Sequence, residues 1–247
     1  MAVASFRFYA ELNDFLPVDK KQVVIEHFFT ERASIKDTIE ALGVPHPEVD
    51  SIEVNGKYVD FSYIVQDEDV INVYPISLTS STTSSISIKP KLSGIIRFVL
   101  DIHLGKLATS LRLLGFDTLY RNDYADEELA RISSTQERIL LTRDKGLLMR
   151  SIVIHGYYVR STDPQQQIVE IMRRFDLYKS VSPFQRCLRC NGLLEPVPKE
   201  TVIDRLPESV RLSLKEFYRC QNCNQVYWKG SHYERLQQFI DSVMNNG

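Results

Sequence analysis

The chain has 247 residues, 43% hydrophobic and 25% charged, enough apolar matter for two or three packed cores. No run of 18 apolar residues occurs, so no membrane span is expected. The start, MAVASFRFYAELND, lacks a charged segment followed by an apolar one, so no signal peptide is expected either. The expected compartment is the cytoplasm, where thiols stay reduced; the four cysteines are then ligands or free thiols rather than disulfides. The net charge of −2 divides unevenly. Residues 1–78 hold 6 basic and 14 acidic residues, residues 79–190 hold 17 and 11, and residues 191–247 hold 7 of each. A basic middle points to an anionic partner, the alternative being chance scatter of surface charge.

In chain order, residues 3–8 (VASFRF) and 22–25 (QVVI) read as strands. Ser34 stands three residues before Asp37, a capping-box-like start for a helix that ends at Gly43. Asn55-Gly56 between apolar runs is a two-residue hairpin signal, and DVINVYPI is a last strand. This order of elements is that of the β-grasp of ubiquitin-like folds. The stretch resembles the sulfur carriers of molybdopterin and thiamine synthesis. Those carriers end in Gly-Gly, whereas here VYPISL runs on, so the resemblance implies a binding or scaffolding domain with a protein partner rather than carrier chemistry. Residues 77–94, SLTSSTTSSISIKPKLSG, have too few apolar side chains to offset their ordering entropy and read as a flexible linker or a phosphosite tract.

Beyond the linker, strands alternate with helices. IIRFVLD is followed by GKLATSLRLLG, FDTLY by DEELARISS, and RILL by a strand within IVIHGYYVRS; PQQQIVEIMRRF is a helix opened by Pro164. Such alternation argues a parallel α/β sheet. Asp101 and Asp144 follow strands directly, and Asp126 opens the helix after the DTLY strand. In a parallel sheet with right-handed crossovers these positions share the carboxyl edge, where open α/β sheets place their sites. Three converging carboxylates need a cation, and hard oxygen ligands suit Mg²⁺ or Mn²⁺, which can activate water against a phosphodiester. The alternatives are a helix cap for Asp126, turn roles for Asp101 and Asp144, and a phosphoacceptor domain of the receiver type. Lys106, Arg112, Arg143 and Lys145 are phosphate contacts or plain solvated charge.

Cys187-Leu-Arg-Cys190 and Cys220-Gln-Asn-Cys223 use all four cysteines, with 29 residues between the pairs. Two such pairs are a zinc-ribbon signal, and four thiolates close a tetrahedral, structural site. Paired redox dithiols and an iron–sulfur cluster are the alternatives. Trp228, Tyr227 and His232, past the second pair, stack on bases or, as preferred here, complete a thin core.

The phrases FVLDIHLGKLATSLRLLGFDT, DEELARI and RILLTRDKGLL, with RCLRCNGLLEPV and FYRCQNCNQVYWKGSHYERL, resemble the C-terminal RNase domain of the Mut-seven exonucleases, a PIN-like nuclease fold with a fused zinc ribbon. The resemblance covers over half the chain. It implies a metal-dependent ribonuclease with RNA as substrate, in which Asp101, Asp126 and Asp144 are catalytic metal-binding acids and Glu128 is a further ligand. Many PIN domains carry another acid soon after the third; here Lys145-Gly146-Leu147-Leu148 stand there instead. An RNA-binding adaptor with a degenerate site is therefore the alternative function. The expected architecture is multidomain, α+β and α/β: a β-grasp over residues 1–78, a linker over 79–94, a PIN-like parallel-sheet domain over 95–182, and a zinc ribbon with a C-terminal helix over 183–247.

Overall fold

The computed structural model describes residues 1–76, 87–88, 90 and 94–246, the side chain of Ser231 excepted. The chain forms two compact units. The first joins residues 1–94 to residues 130–158; the second joins residues 95–129 to residues 159–247.

The first unit begins with a β-grasp. Strand β1 (Ala2–Phe8) turns Ala4, Phe6 and Phe8 inward. It pairs antiparallel with β2 (Ile25–Phe29) and parallel with β5 (Val70–Pro75), Phe6 standing opposite Ile25 on one side and Ile71 on the other. Strands β3 (Val49–Val54) and β4 (Lys57–Val59) complete the order β2-β1-β5-β3-β4. Helix α1 (Ile35–Ala41) covers the sheet and starts as expected: Ser34 Oγ accepts from the Asp37 amide at 3.1 Å and donates to the Asp37 carboxylate at 2.7 Å. The hairpin turn is also where Asn55-Gly56 places it, both residues in the left-handed region at φ 49° and 79°. Phe6, Ile35, Ile39, Ile52, Ile71 and Val73 are fully buried. Each such side chain contributes about 1.5–3 kcal/mol of transfer free energy.

The expected strand at residues 22–25 is corrected. β2 starts at Ile25, and Val23 and Val24 are 47% and 55% exposed. Pairing with β1 selects the register in which Ile25, His27 and Phe29 alternate toward the core, a polar-looking stretch that propensity passes over. The expected linker lies mostly outside the described residues. Its described part is docked: Ser87 donates to Asp50 Oδ1 at 2.8 Å, the Ile88 amide bonds the Asp50 carbonyl, and the Ile88 side chain packs on the β-grasp core.

The same unit holds β8 (Ile139–Thr142), α4 (Lys145–Leu148) and β9 (Gly156–Tyr158). β8 is buried along its whole length and pairs parallel with β9. The strand within IVIHGYYVRS is β9, and Ile152 and Ile154 lie outside it, 47% and 44% exposed. The β-grasp grips this segment with buried polar groups. Glu48, fully buried, accepts from the Tyr158 amide at 2.6 Å. His46 bridges Glu40 Oε1 at 2.6 Å and the Val153 carbonyl at 2.7 Å. Phe15 meets Tyr158 edge to face at 5.4 Å.

The second unit contains β6 (Arg97–Leu100), α2 (Gly105–Leu113), β7 (Asp117–Leu119) and α5 (Pro164–Arg174). β6 and β7 are parallel, and Phe98 packs between Phe116 and Phe175. Helix α3 (Asp126–Thr135) follows β7 and straddles the boundary between the units. Gly115, at φ 98°, reverses the chain after α2, where a Cβ would stand 2.1 Å from the Ser182 carbonyl oxygen. The ribbon is an antiparallel sheet of β10 (Leu194–Val197), β11 (Phe217–Cys220) and β12 (Val226–Trp228), followed by α7 (Ser231–Met244), with the short α6 (Glu208–Ser213) ahead of β11.

Candidate functional site

The structure brings the four cysteines together. Their sulfurs all lie within 4.8 Å of one another, with Cys187–Cys223 at 3.6 Å and Cys190–Cys220 at 3.4 Å. A tetrahedral ion with bonds of about 2.3 Å to each sulfur needs sulfurs about 3.8 Å apart, so the set fits zinc. The electrostatics also call for a cation. Burial opposes ionisation of Cys187, but hydrogen bonds from the Tyr227 hydroxyl and the Cys190 and Arg189 amides bring it down to about 7. Burial and the neighbouring sulfurs push Cys190 up to about 12. Four thiolates this close repel one another until a metal joins them. Zinc bound by all four sulfurs would supply folding free energy and leave no position open for water.

Each pair is a knuckle with the same ending. Asn191 and Asn224, directly after Cys190 and Cys223, are left-handed at φ 71° and 60°. Asn191, 6% exposed, also reaches outside its knuckle: its side chain accepts from the Thr118 amide at 2.9 Å and donates to Asp117 Oδ1 at 2.8 Å. Arg186 adds donations to the carbonyls of Gly115 and Asn191. Sequence reasoning passed over Asn191, although the repeated Cys-x-x-Cys-Asn was the available signal.

Arg112 is a correction. Expected as a phosphate contact, it is 3% exposed, and its guanidinium donates to the carbonyls of Thr118, Tyr120, Leu188 and Arg189 at 3.0–3.3 Å. It joins α2 and β7 to the first knuckle. Burial lowers its pKa, and the Cys187 and Cys190 sulfurs oppose that shift, so it also serves as a counter-charge to the thiolates. Arg112→Met should therefore destabilise the protein by about 3 kcal/mol or more, because it strands buried carbonyls. Chemical denaturation reads this directly. A phosphate contact would instead lower RNA affinity at unchanged stability.

Lys145 is likewise committed: half-buried, it donates to the Phe15 carbonyl at 3.0 Å and lies 5.2 Å from the Phe15 ring centre. Arg143 is half-buried, 6.0 Å from the Tyr158 ring centre. Lys106, at the start of α2, is exposed.

The acids stand where the strands end. In the second unit, Asp101 follows β6 directly, is 5% exposed and accepts from the Ile102 amide at 2.5 Å. Asp126 is exposed and Glu128 half-buried in the first turn of α3. In the first unit, Asp144 is exposed and caps α4, its Oδ1 accepting from the amides of Gly146 at 2.7 Å and Leu147 at 3.3 Å. Among the described residues, the cysteine set is the one group of three or more metal-ligating side chains drawn together.

Comparison with known proteins gives two family-model matches. The model described as the Mut7-C ubiquitin domain matches residues 1–81, and that described as the Mut7-C RNAse domain matches residues 96–240. No curated protein and no solved structure matches the chain. No helix among the described residues is long and apolar enough to cross a membrane. The RNase match takes in both the strand-end acids and the cysteine centre, and it spans more than half of the sequence: the chain belongs to the Mut7-C RNAse domain family, with a Mut7-C ubiquitin-like domain ahead of it.

Proposed function

We propose that this protein is a ribonuclease that hydrolyses RNA phosphodiester bonds with Asp101, Asp126 and Asp144 as its catalytic acids. The observation that carries this reading is the RNase-domain match over residues 96–240, which contains all three. Glu128 is a further ligand in the same proposal. Hard carboxylate oxygens suit Mg²⁺ or Mn²⁺, and such an ion would activate water and neutralise the phosphate. The chain's own part is orientation: backbone amides hold one oxygen of Asp101 and one of Asp144. Of the four basic residues expected at phosphate, Lys106 and Arg143 stay in the proposal as contacts. Zinc bound by the four cysteines is structural. The cytoplasm suits the reduced thiols. The β-grasp serves as a docking module for a protein partner as well as for its own chain.

The second reading, an RNA-binding adaptor that does not cut, is favoured by the absence of an acid over residues 145–148. Incubating the full chain with mixed structured and single-stranded RNAs and Mn²⁺ separates the two. Cleavage that EDTA stops and added Mn²⁺ restores supports the nuclease. RNA that is bound and stays intact supports the adaptor.

A further inference from the structure

We infer that the aromatic cavity of the zinc ribbon receives unpaired bases of single-stranded RNA. The cavity, about 710 Å³, lies within the second unit between β11, β12, the chain around Phe184 and the start of α7. That volume is within the range of small-molecule sites, about 300–1,000 Å³. Phe184, Tyr218, Tyr227, Trp228 and Tyr233 line it, so rings dominate its wall.

These rings are not the ribbon's core. The core is Val202, Leu206, Phe217 and Val226, all nearly inaccessible. Trp228 packs against it while itself half-buried, as all five cavity rings are. Tyr218 and Tyr227 face each other across β11 and β12, and Phe184 stacks on Tyr233 with ring centres 4.5 Å apart and planes 28° from parallel. Phe184 takes φ 60°, a left-handed conformation that costs a bulky residue about 1–3 kcal/mol and is held where the surroundings enforce it.

The lining chemistry selects the occupant. Flat, half-exposed rings stack on any base, and stacking tolerates sequence. Arg186, Lys229 and His232 line the same cavity; Arg186 is committed to the Gly115 and Asn191 carbonyls and lies 3.6 Å from Asp117, and Lys229 is paired with Glu216 at 2.7 Å, so the exposed His232 is the donor offered to a phosphate backbone. Tyr227 joins the cavity to the metal centre, its hydroxyl 3.1 Å from Cys187 Sγ and accepting from the Leu188 amide at 3.2 Å. The inference deepens the ribonuclease reading and rests on it for the choice of RNA.

Trp228 is the protein's single tryptophan, so its emission reports on this cavity alone. The test titrates the full zinc-loaded chain, without added Mg²⁺ or Mn²⁺, with twelve-nucleotide oligo(U), oligo(A) and a duplex of equal length. Saturable quenching by the single strands and not by the duplex is expected. Phe184→Leu and Tyr233→Leu keep apolar bulk and should each weaken single-strand binding by about tenfold. Emission unmoved by single strands overturns the inference, and it needs no variant to fold. Emission that responds to an apolar peptide and not to RNA also overturns it, in favour of a protein-docking cavity. The cleavage assay is separate: RNA cut with no Trp228 response leaves the nuclease standing without this subsite, and quenching with no cleavage leaves the subsite in an adaptor.

Discussion

Asp144→Asn is expected to lower metal-dependent RNA cleavage by at least about a hundredfold, the scale seen when one preorganised electrostatic contact to the reacting centre is lost. The fold should be unaffected. Asp144 caps α4 by accepting from the Gly146 and Leu147 amides, and an asparagine side chain offers an oxygen at the same place. Asparagine and aspartate are near-equal caps, so the melting temperature should stay within a degree or two. RNA binding should persist or tighten, since one negative charge is removed next to the phosphates. A Mn²⁺-dependent cleavage assay alongside a thermal melt checks all three points. Wild-type cleavage by the variant would remove Asp144 from the catalytic assignment.

Cys220→Ser carries the second large effect. The native chain should hold one zinc, and the variant should lose it. Cys220 is fully buried, lies 3.4 Å from Cys190, and its sulfur accepts from the Asn222 and Cys223 amides. Structural zinc sites supply about 10–16 kcal/mol, so breaking the set should unfold the ribbon. The loss should spread to α2 and β7 because Arg112, Asn191 and Arg186 join them to the first knuckle. Elemental analysis gives the metal count, and hydrogen exchange over residues 105–119 and 187–228 gives the spread. Iron in the native protein, or no metal, would overturn the zinc assignment.

Much of this protein is legible from neighbours a few residues apart. The Ser34–Asp37 cap, the Asn55-Gly56 turn, the helix start at Pro164 and the two Cys-x-x-Cys pairs each act over a few positions, and each forms where the sequence places it. β2 was misplaced because its register is selected by β1, nearly twenty residues away, and Ile25, His27 and Phe29 have no local signature of their own.

Charge shows in a sequence, but whether water reaches it does not. Arg112 and Lys145 looked alike as phosphate contacts. Their partners decide otherwise: carbonyls at Leu188 and Arg189 lie more than seventy positions from Arg112, and the Phe15 carbonyl lies 130 positions from Lys145. Glu48 and His46 carry no sequence signal of burial, yet they are buried against Tyr158 and Val153. The sequence by itself determined most local elements, the family and the two cysteine pairs, because those depend on short-range geometry and on residue chemistry. Only the tertiary structure decided which cations are spent inside the protein, since a buried charge must find its donors or acceptors wherever the fold brings them.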